Sequence, residues 1–407
     1  MIRRISLEKL SIFLYIILSM VAPNSGAMSV KIIRVVVVVA IMSSFIRRGM
    51  RLPQKGERYY IIWTLLFLTY CALGISTAYS QSVATSFFTT TLYVFVVDLL
   101  VFIYVISYMK DVESIINCMI IGATLAALRC FVQYGPTVFY TARSAGNISG
   151  NTIGQYSAFA CILCLYKIWK YDVKLRFTKT NAIWILLLIL NFVFMILSGS
   201  RKSVFYLVIP IVVMIVLNSK NPIRLFRNII IAVALVGAGY YALMHVSILY
   251  NSIGYRIQSM VNGLRGTGVS DSSTITRINL IARGMRFFWE RPWIGYGLNN
   301  YYVLNNISTG SILYSHNNYV ELLVDCGIIG TIIYYSLHVS TLVRAIKVRK
   351  TCSKDIGIFI GIIIAILVCD YGLVSYYDIF TQALTLVIVL VILHPDFLKG
   401  ASIIEKN

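Results

Sequence analysis

NAIWILLLILNFVFMILSGSRKSVFYLVIPIVVMIVL, residues 181–217, is two apolar runs separated by one polar break, 198–203, that holds an arginine and a lysine. Neither run alternates as a barrel strand would, so both read as helices that satisfy their own backbone amides, as a hydrocarbon slab demands. Ten further runs of this kind lie at about 10–22, 30–46, 59–78, 83–109, 115–134, 153–169, 227–244, 318–343, 356–373 and 379–393. Together with 181–199 and 203–217 they predict about twelve spans, each near the ~20 residues that cross ~30 Å of hydrocarbon. Composition agrees: 58% of the 407 residues are hydrophobic and 13% charged, an excess that no soluble core requires. The expected fold is all-α, a polytopic integral membrane protein with one membrane domain over 1–407.

The net charge of +21, from 36 Lys and Arg against 15 Asp and Glu, would suggest nucleic acid in a soluble domain. Here most of it follows topology, because basic residues stay on the cytoplasmic side of a span. With the N-terminus inside, the basic groups at 3–9, 47–58, 110, 167–179, 220–227, 344–354 and 399–406 all fall inside, as does the C-terminus. The remaining pull is toward anionic inner-leaflet lipid, and no nucleic-acid partner is expected. A signal peptide is the competing reading of the first residues, from the basic start, the apolar stretch to Ala22 and the small residues Ser25, Gly26 and Ala27. Of the eight cysteines all except Cys352 lie in apolar stretches, and the CxxC of Cys161 and Cys164 reads as helix packing. No repeat of fixed period and no low-complexity tract occurs.

The longest segment outside the spans, 245–317, is predicted to be an external loop carrying short helices, far longer than a helix connection needs. It holds Arg256, Arg265, Arg277, Arg283, Arg286 and Arg291, no lysine, and only Asp271 and Glu290 as acids. Arginine without lysine points to bidentate recognition of phosphate or carboxylate. The alternative is a set of amphipathic surface helices with Arg286 and Glu290 as an i,i+4 pair. Arg201, in the break at 198–203, stands at the membrane boundary where a lipid-linked phosphate would lie. Arg143 precedes the small, flexible stretch 144–151. Either could instead anchor a helix end by snorkelling. His338 and His394 belong to spans, and His245 has no polar company. His316 lies in Ser315, His316, Asn317, Asn318, Tyr319, Val320, Glu321, where the loop re-enters the membrane. A lone histidine there is commonly structural, yet an imidazole with arginines around it could deprotonate a hydroxyl while they hold an anionic leaving group. Asp98, in mid-span, reads as a relay or a helix-helix hydrogen bond. No metal-ligand spacing, phosphate loop, nucleophile elbow or Asp-x-Asp pair is present, so a metal-free mechanism without cofactor is expected.

Taken in order, these motifs resemble the O-antigen ligase and polymerase superfamily. The resemblance rests on the arginine break at 198–203, on Thr276 and Arg277, on Trp289, Glu290, Arg291, Pro292, Trp293, Ile294, Gly295, Tyr296 and Gly297, and on His316 and Asn317 followed by Gly327 and Gly330. About the first 140 residues match in hydropathy alone. The resemblance implies a metal-independent, inverting glycosyl transfer on the outer face of the membrane, from an undecaprenyl-diphosphate-linked oligosaccharide to an acceptor hydroxyl. It implies His316 as general base, Arg201 and Arg277 on the departing diphosphate, and Arg143 as the match of an arginine seen in the polymerases. Arg277 is chosen among the loop arginines by the resemblance. A polymerase of surface polysaccharide, with a chain-length regulator and a flippase as further partners, is expected on the segments 292–297 and 315–321. A ligase acting on lipid A-core is the alternative within the family. A transporter or flippase of lipid-linked sugars is the alternative of another class, disfavoured by the lack of repeat halves, and a peptidoglycan polymerase is disfavoured by the His316 motif.

Overall fold

The computed structural model describes residues 6–22, 28–135, 144–145, 148–171, 179–217, 221–265, 272–351 and 356–399. Helices α1 (Leu7–Val21), α2 (Met28–Arg48), α3 (Tyr59–Gly74), α4 (Gln81–Tyr104), α5 (Glu113–Tyr134), α6 (Gly150–Tyr171), α7 (Lys179–Leu197), α8 (Arg201–Leu217) and α9 (Pro222–His245) come first. The shorter α10 (Ser247–Leu249), α11 (Tyr255–Arg265), α12 (Ser272–Glu290) and α13 (Tyr301–Thr309) then lead into α14 (Asn318–Thr351), α15 (Ile356–Cys369) and α16 (Ile379–Leu393). The stretch read as flexible before α6 contains β1 (Ser144–Ala145) and β2 (Ile148–Ser149), paired antiparallel, and Ser149 Oγ accepts the Thr152 amide to cap α6.

The all-α membrane class stands, but the count of about twelve spans does not. Among the described residues four helices are long and apolar enough to cross a membrane by length and composition: Gln81–Met109, Glu113–Gln133, Pro222–His245 and Asn318–Arg349. The apolar helices Tyr59–Gly74, Asn181–Leu197, Ile356–Cys369 and Ile379–Leu393 are shorter. Hydropathy counts apolar residues whether or not they stay helical, and the run 356–373 leaves its helix at Cys369 to enter the turn before Asp378. There Asp378 accepts the Thr381 amide at 2.9 Å and starts α16, a cap worth about 1 kcal/mol.

α16 is the central helix, buried from Ile379 to Ile392. α9 is its opposite: Ala232 alone is buried, and Ile229, Ile230, Ile231 and Val233 face outward, as on a helix solvated by lipid. At one end of the bundle the helix termini are tied by charge. Arg47 at the end of α2 meets Glu8 at the start of α1 at 2.9 Å, and Glu113 at the start of α5 meets Lys167 and Lys170 near the end of α6. His394, after α16, lies 2.7 Å from Glu57, just ahead of α3.

The helix α14 is broken at Gly327, which has φ of 64°, and the segment 292–297 is stitched into the break. In an unbroken helix the amides of Ile328 and Ile329 would donate to the carbonyls of Val324 and Asp325. Here they donate to the carbonyls of Pro292, at 2.8 Å, and Trp293, at 3.3 Å. The carbonyls of Val324 and Asp325 accept instead from the amides of Tyr296 and Gly297, both at 2.8 Å. No side chain fits at the crossing, since a Cβ on Gly327 would lie 2.3 Å from the Trp293 carbonyl oxygen. Leu280, Phe288, Tyr296, Tyr301, Val320 and Val324 close a small core that fixes α12 and α13 on α14. The motif 290–297 is thus an anchor of the fold, and Glu290 accepts from the Tyr296 hydroxyl at 2.7 Å rather than pairing with Arg286.

Candidate active site

Two turns at the end of the bundle opposite the ion pairs carry the candidate residues. The first joins α7 to α8. The Ser198 and Gly199 amides close the end of α7 on the carbonyls of Phe194 and Ile196, and α8 begins at Arg201. This turn is pressed against Gly154 of α6, where an added Cβ would lie within 2.4 Å of the hydroxyls of both Ser203 and Ser198. From the other side Arg256 of α11 donates to the Gly199 carbonyl at 2.7 Å. Arg201 donates in return to the Arg256 carbonyl at 3.2 Å and the Thr274 hydroxyl at 3.3 Å. Arg201 therefore binds its turn to α11 and the start of α12, which brings residues more than seventy positions apart into one wall.

The second turn presents His316. Ser315 donates its amide to Glu321 Oε2 at 2.8 Å and its hydroxyl to the Asn317 carbonyl at 2.7 Å. The Asn317 amide donates to Ser315 Oγ at 3.1 Å, and Asn317 Oδ1 accepts the Val320 amide at 3.1 Å, capping α14. Between these locked neighbours His316 holds φ of 57°, a left-handed conformation that a non-glycine residue adopts at a cost and that surrounding bonds must impose. Its ring lies against Tyr314, centroids 3.9 Å apart, and its Nδ1 is buried with no hydrogen-bond partner. Burial, then the charges of Arg277 and Lys202, push the imidazole down to about 4 from its usual 6.5, so it is neutral at pH 7.

Arg277, one turn into α12, is half-buried and close enough for its charge to act on His316, Tyr314 and Lys202. Among the described residues none hydrogen-bonds to it. Lys202 feels Arg277 and Arg201 from one side and Asp370 from the other. Asp370 is itself held by Ser375 Oγ at 2.6 Å, the Tyr335 hydroxyl at 2.9 Å and Asn318 Nδ2 at 3.0 Å. Arg277 and Lys202 thus act on a neutral imidazole, with Arg201 acting on Lys202 from the adjoining turn.

Of the residues singled out from sequence, Arg201, Arg277 and His316 come together, and Arg143 lies outside the described residues. The other loop arginines separate by what they hold: Arg256 the Gly199 carbonyl, Arg283 the Asn305 side chain, and Arg291 the Thr77 carbonyl at 3.3 Å and the Tyr296 ring. Arg286 is exposed. Lys202 and Asp370 were not selected. Lys202 read as a second interface cation beside Arg201, and Asp370 sits in an apolar run with no local signal. Asp98 is buried within α4, beside Arg34 and Tyr15. Cys161 and Cys164 are free and buried.

Residues 186–335 match the model of a family described as O-antigen ligase, which supports the resemblance to the O-antigen ligase and polymerase superfamily. The match begins in α7, ends in α14, and contains both turns with every element between them. No curated protein matches the chain.

Proposed function

We propose, for a multi-pass membrane protein whose residues 186–335 are of the O-antigen ligase family, that it polymerises surface polysaccharide. The reaction is metal-independent, inverting glycosyl transfer between undecaprenyl-diphosphate-linked repeat units on the external face of the bacterial inner membrane. The observation that supports this is the neutral His316 imidazole, its buried Nδ1 without a hydrogen-bond partner, set beside Arg277, which has no ion pair among the described residues. His316 takes the proton of the acceptor hydroxyl as that oxygen attacks the anomeric carbon. The bond from that carbon to the diphosphate oxygen breaks, and its electron pair leaves with the diphosphate. Arg277 and Arg201 hold the growing negative charge, in a site where preformed cations need no reorganisation. The guanidinium forks fix orientation, whereas burial and then Arg277 push Lys202 down to about 7, so it is no fixed charge.

A ligase that moves the finished glycan to lipid A-core is the second reading, favoured by the description of the matched family. Both need the same donor chemistry, and the backbone of 292–297 anchors α14, which does not tell them apart. The deciding experiment is a deletion strain complemented with the wild type or with His316→Ala, reading polymer length and the lipid-linked precursor pool. Single repeat units, on the carrier or on lipid A-core, identify a polymerase. Long polymer accumulating on the carrier identifies a ligase. Full wild-type display from His316→Ala removes the base assignment and returns weight to a transporter.

A further inference from the structure

A groove that neither the fold nor this reaction uses runs between α2 and α4. It has a volume of about 690 Å3, with Val35 and Val39 on one wall, Thr90 and Tyr93 on the other, and Lys31 and Arg34 among its lining. α2 and α4 run side by side in the same direction, with the rings of Phe45 and Tyr104 6.5 Å apart towards their ends. Lys31 and Arg34 therefore mark the end nearer the start of α4. That end is shared with the His316 turn, since the Ser80 amide just ahead of α4 donates to Asn300 Oδ1.

Arg34 is 5% exposed, and its Nε and Nη2 have no hydrogen-bond partner. Asp98 and Tyr15 lie beside it on the bundle side, and Lys31, one turn earlier on the same face, is exposed, so two cations meet one acid. The hydroxyls of Thr89 and Thr90 are bonded back to the carbonyls of Thr85 and Ser86 and need no ligand. The valine wall opens sideways, Val35 and Val39 being 62% and 60% exposed. Buried guanidinium nitrogens without a hydrogen-bond partner are costly, and here they head an open apolar trough, which has the shape and charge of a phosphate-headed lipid. Phe87, about a third of a turn round α4 from the groove, packs on Tyr377 with centroids 5.0 Å apart. α4 thus stands between the groove and the histidine, which favours a resident membrane lipid over a substrate.

We propose that the α2–α4 groove binds an anionic membrane phospholipid, its phosphate held by Arg34 and Lys31 and an acyl chain laid along Val35 and Val39. The test uses the full-length protein, delipidated in neutral detergent and offered phosphatidylglycerol or phosphatidylcholine of equal chain length, with retention read by native mass spectrometry. Val39→Trp fills the groove without altering charge, and Lys31→Gln removes an exposed cation without emptying the core. Phosphatidylglycerol is expected to be retained about tenfold better than phosphatidylcholine, and each variant to lower its retention about fivefold with an unchanged melting temperature. Equal retention of the two lipids, or wild-type retention in both variants, overturns the proposal. Displacement of phosphatidylglycerol by an equimolar amount of undecaprenyl phosphate, abolished in Val39→Trp, also overturns it, by making the groove a substrate site. Retention is measured in His316→Ala as well, where it should equal wild type, so failure of the glycosyl-transfer reading leaves this result standing.

Discussion

At one end of the bundle cations meet acids: Arg47 meets Glu8, and Lys167 and Lys170 share Glu113. At the other end Arg277 has no ion pair among the described residues and acts with Lys202 on a neutral histidine. Both ends are positive, and net charge alone does not distinguish them. The distinction is whether each charge has been matched within the fold. A matched charge fixes helix termini to one another and its removal is a structural loss. An unmatched set keeps its field for something that arrives from outside, and its removal should be felt in the reaction.

Breaking the unmatched end should have the largest effect. His316→Ala should lower transfer from a lipid-linked donor by about 10²–10⁴-fold with little change in melting temperature, measured on purified protein in detergent. A comparable loss of thermal stability would make the histidine a structural residue. The same imidazole sets the acid limb of kcat/KM. Because its folded value is depressed to about 4, the limb should lie near pH 4 rather than 6.5, leaving activity flat through neutrality. The linkage sign agrees: the unfolded imidazole takes up its proton first, so stability is full above 6.5 and is lost as pH falls through 4. In kcat the limb should move up, since a bound diphosphate offsets Arg277 and Lys202.

Breaking the matched end should reverse the pattern. Glu113→Ala strands Lys167, which is 1% exposed, and should cost about 3–5 kcal/mol of stability, read as a lower melting temperature and poorer yield. Adding Lys167→Met should restore most of the loss, and failure to do so would mean that Lys170 carries the coupling. A smaller effect, about tenfold to a hundredfold in kcat, is expected of Arg277→Lys, which keeps the charge but loses the planar fork that holds a diphosphate. Smallest is Arg47→Ala. The Arg47 side chain is 61% exposed, so the change should cost less than about 1 kcal/mol and fade further in high salt, as a melting series would show.

Much of this contrast is legible in the sequence, for reasons that can be named. Arg201 and His316 stand out because each is a polar residue at a break in apolar periodicity, which is where hydropathy is most informative. Arg277 needed the resemblance, since six arginines in one loop look alike until it is known which carbonyls the others hold. Asp370 was out of reach, because its partners Asn318 and Tyr335, on α14, and Ser375, ahead of α16, are joined to it only by folding. The span count failed for a related reason: an apolar residue is equally apolar in a helix and in the turn that ends it. The segment 292–297 was recognisable as a motif, yet its work is done by backbone atoms, which composition does not report.

That last feature bears on how a substrate gets in. The four backbone bonds between 292–297 and the break in α14 make this part of the loop a fixed piece of the fold, not a lid. Swinging it away would strip amides and carbonyls of their partners in apolar surroundings, at several kcal/mol for each group. On the proposed function, entry of a lipid-borne glycan is expected beside this seam, with neighbouring elements moving while the seam stays shut.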